Sequence, residues 1–185
     1  MEELIQLDQE LFLYLNNLGS ETWDWFWVFI THKFASIPLY AFLLYLLYKN
    51  YGLKPTIVTL ILVAGLITCT DQLANVFKDY FERPRPCKED FIVEGRMLLD
   101  YCGSYGYFSA HAASSMALAF YLGNILKHWY KYAFVLLIFW AAIVGYSRIY
   151  VGKHYPGDVI TGIIIGALLG FGFYKLQQYL VKRFA

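Results

Sequence analysis

Five long apolar stretches constrain this chain more than any other feature of its sequence. A helix needs about 20 residues to cross the ~30 Å hydrocarbon core of a bilayer, so the shorter stretches need aromatic or polar flanks to reach across. Hydrophobic residues make up 59% of the 185 residues and charged residues 16%, which is more apolar than an ordinary soluble domain. We predict an all-α integral membrane bundle of about five transmembrane helices, over residues 34–48, 56–76, 109–126, 132–146 and 159–174.

The segment before the first stretch is amphipathic rather than uniformly apolar. In residues 3–18, leucine and tyrosine side chains recur at helical spacing and the acidic residues lie elsewhere on the wheel, as in a helix that lies along a membrane surface. An aromatic cluster at residues 23–29 is typical of an interfacial anchor. We predict a single membrane-embedded domain over 1–185, with interfacial helices in 1–33 and the transmembrane bundle in 34–185.

Glycine recurs every four residues in the last apolar stretch, at Gly162, Gly166 and Gly170. This spacing places the three residues on one helix face, where a neighbouring helix can approach closely. That neighbour is either another helix of the same chain or a second copy of the protein. Packing within the chain is the simpler expectation.

The charged residues are distributed differently over the two membrane faces. With five spans, the linkers 49–55 and 127–131 and the tail after residue 174 share one face, which carries seven Lys and Arg residues and no acidic residue. The other face carries the remaining eight cations and all fourteen acidic residues. The number of cations does not orient the chain, but short, purely basic linkers are typical of the cytoplasmic side. The net charge of +1 gives no electrostatic argument for a nucleic-acid partner.

Polar residues that could take part in catalysis or ligand binding lie in two loops on the less basic face. Residues 78–107 interrupt the hydrophobic pattern, and a loop of this length in a compact chain is usually functional. The five-span arrangement places loop 78–111 and loop 147–158 at the same face, because the chain crosses and returns between them. Together these loops carry Lys78, Arg85, His111, Arg148, His154 and Asp158.

The cations of this set suit a phosphoryl group. One ammonium and two guanidinium groups, from Lys78, Arg85 and Arg148, match a dianionic tetrahedral oxyanion better than a carboxylate. Ser109 and Ala110 stand where the polar loop becomes a helix, so their backbone N–H groups point out of a helix N-terminus, which favours an anion. The Ser109 hydroxyl can cap the helix at the same time.

Two histidines beside a bound phosphate can divide the work of phosphoryl transfer. A neutral His154 imidazole can attack phosphorus if a partner fixes its tautomer, and Asp158 suits that role. His111 would protonate the leaving oxygen and then activate water. The cations would stabilise the phosphoryl oxygens, so this chemistry requires no metal or other cofactor. His32 and His128 lie outside this set, and we expect them to be structural.

The order of these residues resembles the signature of the type 2 phosphatidic acid phosphatases, membrane relatives of vanadium haloperoxidases and bacterial acid phosphatases. Residues 78–86 fit the first part of that signature, K-x6-R-P, and residues 147–158 fit the third part, S-R-x5-H-x3-D. The second part, P-S-G-H, is met at Ser109 and His111, with Phe108 in place of proline and Ala110 in place of glycine.

The resemblance implies a role for each matching residue. His154 would be the phosphohistidine nucleophile, Asp158 its orienting carboxylate and His111 the acid and base. The phosphate ligands would be Lys78, Arg85, Ser109, Ala110 and Arg148. The resemblance also implies a metal-independent phosphatase without cofactors.

The same resemblance implies a lipid phosphate substrate, with the active site at the outer face of a bacterial-type cytoplasmic (inner) membrane. We favour undecaprenyl diphosphate, because the chain is compact and the cations suffice for a diphosphate. Phosphatidylglycerol phosphate, phosphatidic acid and lipid A would meet the same cationic cluster. The alternative function is a carrier or channel for an anion, since charged residues in a small multispan protein can mark a transport path.

Two of the three cysteines, Cys87 and Cys102, fall in the first polar loop. They form a disulfide if that loop faces an oxidising compartment, and otherwise they are two free thiols.

Overall fold

The chain folds into helices joined by short linkers and one long loop, in a computed structural model that describes residues 2–32 and 34–184. Met1, Lys33 and Ala185, at the ends of the predicted segments, lie outside the described residues. The described residues form α1 (Glu2–Asn17), α2 (Glu21–Thr31), α3 (Ile37–Tyr51), α4 (Leu53–Phe81), α5 (Ala110–Leu126), α6 (Ala133–Tyr150) and α7 (Pro156–Phe184). Two 3-10 turns, Pro86–Lys88 and Asp90–Glu94, lie in the long loop.

Each of the five predicted apolar stretches forms one helix, α3 to α7, and the predicted all-α membrane fold is confirmed. Three of them, over Leu53–Phe81, Ala133–Tyr150 and Pro156–Arg183, are long and apolar enough to cross a bilayer by themselves. The other two are shorter, with 15 residues in α3 and 17 in α5. Both α4 and α7 have 29 residues, more than predicted, because their helical backbone continues past the apolar run into polar sequence.

The central helix of the bundle is α5. It packs against α4, α6 and α7, and most of its side chains are buried. A helix that is apolar on all faces needs neighbours on all faces. The first turn of α5 therefore lies in the middle of one end of the bundle.

The three glycines of α7 face α5. A Cβ on Gly162, Gly166 or Gly170 would lie under 3.0 Å from a backbone carbonyl oxygen of α5 or of the residue that precedes it. The expectation of packing within the chain is therefore confirmed. Because successive glycines meet successive turns of α5, the two helices run parallel and begin side by side.

One face of α1 is packed against the ends of α6 and α7. Phe12 and Asn16 are fully buried, and the Asn16 amide donates to the carbonyl oxygens of Arg96, Ile149 and Tyr150 at 2.9–3.0 Å. The other face is apolar and exposed, as expected for a helix at a membrane surface. It presents Leu4, Leu7, Leu11, Tyr14 and Leu18.

The aromatic cluster of α2 is divided between surface and packing. Trp23, Trp25 and Phe29 are exposed, consistent with an interfacial anchor. Trp27 instead stacks on Tyr150 of α6, with ring centroids 5.1 Å apart. The cluster therefore also fixes α2 against the bundle.

The bundle has two chemically different ends. The basic end is formed by the linkers 49–55 and 127–131 and the C-terminal part of α7, and its linkers touch, since the rings of Tyr51 and Trp129 lie 5.4 Å apart. The histidine end is formed by the C-terminal ends of α4 and α6, the N-terminal ends of α5 and α7, and the loops between them. The predicted site residues all lie at the histidine end.

Candidate active site

His154 and Asp158 form a buried pair at the start of α7. His154 is 3% exposed and Asp158 is fully buried. Pro156 begins the helix, because its fixed φ suits the first helical position, and Asp158 falls in the first turn. His154 Nδ1 and Asp158 Oδ2 lie 3.4 Å apart. The sequence thus places a carboxylate against one ring nitrogen of His154 and leaves the other nitrogen for a different partner.

That other nitrogen, His154 Nε2, lies 3.3 Å from NH1 of Arg85. A guanidinium can only donate, so Nε2 must be the acceptor and carry the lone pair. The ring proton is therefore assigned to Nδ1, where it faces Asp158. This tautomer directs the Nε2 lone pair toward the Arg85 guanidinium, on the side of the ring away from Asp158.

The environment of His154 keeps its imidazole neutral. Burial, together with the positive charges of Arg85, Arg148 and Lys78, lowers the pKa of His154 well below its ordinary value. Desolvation and like charges both disfavour the imidazolium form. The ring is therefore available as a base or nucleophile across the neutral pH range.

Arg85 is held in place by backbone oxygens. Its Nε donates to the Tyr105 carbonyl at 2.9 Å and its NH1 faces the Lys153 carbonyl at 3.4 Å. Burial lowers the pKa of Arg85, and Asp158 partly offsets this effect. The guanidinium is fixed beside His154, and no carboxylate of residues 2–32 or 34–184 forms an ion pair with it.

Arg148 is anchored from α2. Its NH1 donates to the hydroxyl and, at 3.3 Å, to the carbonyl oxygen of Thr31, the last residue of α2. Its Nε is buried and has no hydrogen-bond partner among the described residues, and the same is true of the Nζ of Lys153. Buried donors are normally satisfied, so these two cationic donors indicate a site for an anion.

Lys153 is a site residue that the sequence analysis missed. It is 4% exposed, and its Nζ lies 5.4 Å from the centre of the Tyr101 ring. Burial, and then the charges of Arg148 and Arg85, lower the pKa of Lys153 to about 8. Its position beside the nucleophile candidate was the available signal, but spacing does not reveal whether a loop lysine points inward.

His111 and Lys78 complete the histidine end. The half-buried His111, in the first turn of α5, interacts electrostatically with His154, Arg148, Lys78 and Arg85. Lys78 interacts in the same way with Arg85 and Arg148, and its Nζ lies 3.5 Å from the side-chain oxygen of Asn75. The two histidines and three cations therefore meet at one end of the bundle.

The start of α5 is fixed by Ser109. Its buried hydroxyl accepts from the backbone N–H of Ala112 at 3.4 Å, and its own N–H donates to the carbonyl of Asp158 at 3.0 Å. Ser109 is therefore the helix cap. Phe108, where the family signature has proline, is fully buried and packs edge-on against Phe77 at 5.2 Å.

Two further residues that the sequence analysis did not assign to the site are Asp8 and Arg83. Arg83 pairs with Asp158 at 2.8 Å and with Asp8 at 2.7 Å. Asp8 and Arg83 are 75 residues apart, and no local spacing signals such a contact. The helical wheel of α1 had indicated only that Asp8 lies off the apolar face.

The long loop is closed by a disulfide between Cys87 and Cys102, with Cα atoms 6.2 Å apart. Of the two alternatives, the structure therefore shows the bridge. The third cysteine, Cys69, is free and exposed. His128 lies at the basic end beside Trp129, away from the other histidines.

Sequence comparisons identify a matching family. The PAP2 superfamily profile matches residues 52–182. A lipid A 4'-phosphatase of Bacteroides thetaiotaomicron is 35% identical over 99% of this chain and 82% of its own length. One of Porphyromonas gingivalis is 32% identical over 99% of this chain and 78% of its own length. An undecaprenyl-diphosphatase of Sulfolobus acidocaldarius is 29% identical, covering 92% of this chain and 78% of that protein.

Solved structures share the fold. Aquifex aeolicus LpxE superposes with a TM-score of 0.68 and 28% identity, covering 90% of this chain and 93% of that chain. A transmembrane PAP2-type phosphatidylglycerolphosphate phosphatase from Bacillus subtilis gives a TM-score of 0.74 over 100% of this chain and 89% of its own. Its identity is 19%, so this likeness shows the fold alone.

Proposed function

This chain belongs to the PAP2 superfamily and is a membrane lipid phosphate phosphatase, and on that premise we propose that it removes the 4'-phosphate of lipid A. Two relatives that match 99% of the chain are lipid A 4'-phosphatases. The sequence analysis favoured undecaprenyl diphosphate, and the comparisons do not support that preference, because the undecaprenyl-diphosphatase is the more distant relative. The cation cluster alone does not discriminate between these lipids.

The observation that supports a phosphoryl site is that two buried cationic donors at the histidine end, Arg148 Nε and Lys153 Nζ, have no partner among the described residues. Leaving a buried donor unsatisfied costs about 1–3 kcal/mol, and more for a charged group. A phosphate would satisfy both and would also meet Lys78, Arg85 and the first N–H groups of α5, including that of Ala110. We infer that these groups are the phosphate ligands, and the predicted contribution of the Ser109 hydroxyl beside its capping role stays a prediction.

In the proposed first step, His154 Nε2 attacks phosphorus. A bond forms between Nε2 and phosphorus while the bond from phosphorus to the lipid oxygen breaks, and His111 gives its proton to that oxygen. Asp158 holds the Nδ1 proton and stabilises the positive charge that develops on the ring. The guanidinium and ammonium groups stabilise the charge on the phosphoryl oxygens.

In the second step, water hydrolyses the phosphohistidine. His111, now neutral, takes a proton from water as the oxygen attacks phosphorus, and the bond between phosphorus and Nε2 breaks. Inorganic phosphate leaves, and His154 and His111 return to their starting states. This cycle needs no redox partner and no metal.

We further propose that the histidine end faces outward from a bacterial inner membrane. The purely basic linkers of the opposite end favour a cytoplasmic location for that end. The Cys87–Cys102 bridge supports an oxidising compartment on the histidine side. The exposed apolar face of α1 would then rest among the lipid headgroups beside the site.

Phosphate release from purified protein tests this function. The protein in detergent with chelator is given lipid A, undecaprenyl diphosphate, phosphatidylglycerol phosphate and phosphatidic acid separately. We expect the highest kcat/KM for lipid A, no release by His154→Ala, and full activity of the matched control His128→Ala. Equal rates for His154→Ala and wild type would refute the proposed mechanism. A clear preference for another lipid would refute the substrate assignment alone, and anion flux into vesicles without hydrolysis would support the carrier.

A further inference from the structure

A chain of ion pairs links the N-terminal helix α1 to the buried carboxylate of the candidate active site. Arg83 NH1 lies 2.8 Å from Asp158 Oδ1, and Arg83 NH2 lies 2.7 Å from Asp8 Oδ2. Asp158 has its other oxygen beside His154 Nδ1. The sequence Asp8–Arg83–Asp158–His154 is therefore continuous, although Asp8 lies outside the residues that match the family profile.

Arg83 differs in its bonding partners from the cations that we assign to the phosphate. Both of its terminal nitrogens are already bound to carboxylates, whereas the Nε of Arg148 and the Nζ of Lys153 have no partner among the described residues. Its guanidinium carbon also lies 4.1 Å from the centre of the Tyr155 ring. Arg83 is thus placed to act on Asp158 and not on the substrate.

Asp8 holds the same helix start that carries Asp158. Its Oδ1 accepts from the backbone N–H of Gly157 at 2.8 Å, in the first turn of α7. A Cβ at position 157 would lie 2.7 Å from Asp8 Oδ2, so the close approach requires glycine. Phe12, one turn further along α1, packs edge-on against Tyr155 at 5.6 Å and fixes the helix on the same segment.

The charge balance explains why such a network is needed. A carboxylate that is fully buried, as Asp158 is, is costly to keep ionised unless a cation is bound to it. Burial alone would lower the pKa of Arg83, but Asp158 and Asp8 together raise it above its ordinary value. Arg83 therefore stays charged. Asp158 pairs with one terminal nitrogen of its guanidinium, and Asp8 pairs with the other.

We propose that Asp8 and Arg83 are positioning residues that hold Asp158 ionised and correctly oriented toward His154. The N-terminal helix is in this view a part of the catalytic apparatus and not only a membrane anchor. The inference rests on the proposed function, because it assumes that His154 is the nucleophile and that Asp158 must stabilise its imidazolium form.

The test compares two ion pairs of similar side-chain exposure at the same end of the bundle. Arg83 and Asp8 have side chains that are 22% and 16% exposed, and Arg96 and Asp24, which pair at 2.7 Å, are 21% and 23% exposed. The second pair joins the long loop to α2 and has no contact with Asp158. Arg96→Met and Asp24→Asn are therefore matched controls for Arg83→Met and Asp8→Asn.

We expect Arg83→Met to lower kcat by about 100-fold with KM nearly unchanged, since misplacing a catalytic group by about 1 Å has an effect of this size. The acidic limb of its kcat–pH profile should move to higher pH, because Asp158 without its cation binds a proton more readily. Asp8→Asn should have a smaller effect in the same direction, and Arg83→Lys should recover part of the rate. The controls should keep both kcat and the pH profile of the wild type.

Several outcomes would overturn the inference. One is a wild-type kcat and pH profile in Arg83→Met and Asp8→Asn. Another is an increase in KM with an unchanged kcat, which would indicate that Arg83 binds the substrate. If Arg83→Met does not fold, Asp8→Asn and Arg83→Lys carry the same test. Wild-type activity of His154→Ala would instead refute the proposed mechanism in which His154 is the nucleophile, so the two failures are distinguishable.

Discussion

The two ends of the bundle carry similar numbers of cations and use them in opposite ways. At the basic end Lys49, Lys54 and Lys127 stand on or near short linkers, exposed or paired only with neutral groups, as Lys127 is with the amide oxygen of Asn124. At the histidine end Arg148 and Lys153 are buried, Arg148 is fixed by Thr31 of α2, and Arg83 is paired with the buried carboxylate of Asp158. The burial and pairing of these six cations distinguish the two ends, whereas the number of cations does not.

This difference has a physical basis. An exposed cation is hydrated and screened, so its position is loosely fixed and its effect is that of total charge. A buried cation is costly unless it is paired with an anion, either from the protein or from a ligand. The unsatisfied donors at the histidine end therefore point to a ligand, and the hydrated lysines of the basic end point only to membrane orientation.

We expect the largest difference between the two ends when one histidine at each end is substituted by glutamine. His111→Gln should lower kcat by roughly 10²–10⁴-fold, the usual contribution of a general acid and base. His128→Gln, at the basic end, should leave kcat within experimental error. Steady-state phosphate release measures both. Similar losses in the two variants would mean that the effect is structural and not chemical.

A pH profile sharpens the comparison through Lys153. With a pKa of about 8, Lys153 carries its charge below pH 8 and loses it above, so kcat/KM of the wild type should fall as the pH rises through this value. Lys153→Arg should keep its charge and remove this basic limb, because guanidinium stays protonated. Lys153→Met should be about 10-fold weaker or more in kcat/KM at pH 7, on the scale of a charge-assisted hydrogen bond.

The matched control for Lys153 is Lys88, an exposed lysine at the same histidine end of the bundle. Lys88→Met should have the pH profile of the wild type. A basic limb that persists unchanged in Lys153→Arg would contradict the assignment.

The five helices, and the location of the eight predicted site residues at one end of the bundle, could be predicted from the sequence, because apolar runs and the ordered motifs are local signals. The roles of those eight residues stay predictions. The glycine spacing in α7 likewise predicted a close helix contact, but not that α5 is the partner. Thr31, Asp8 and Arg83 could not be placed, because their contacts join segments that are far apart in sequence. Lys153 was missed for a different reason. It lies next to the predicted nucleophile in sequence, but its burial depends on how the long loop that contains Tyr101 folds over it.

The smallest expected effect concerns the disulfide that closes the polar loop. Without reductant, alkylation of the denatured protein should label Cys69 and neither Cys87 nor Cys102. Removing the bridge by Cys87→Ser with Cys102→Ser should lower the free energy of unfolding by about 3 kcal/mol, the value expected for a loop of this length, and change kcat less than the His111 variant. Labelling of all three cysteines without reductant would remove the bridge and the argument for an oxidising compartment.

The most direct test of the account is to identify the phosphorylated residue during turnover. Wild-type protein is mixed with a lipid phosphate that carries a radiolabel in its terminal phosphate, and the reaction is quenched in alkali, in which phosphohistidine survives. The account predicts a labelled peptide that contains His154 in the wild type and no labelled peptide in His154→Ala. Label on another residue, or phosphate release by His154→Ala at the wild-type rate, would contradict it.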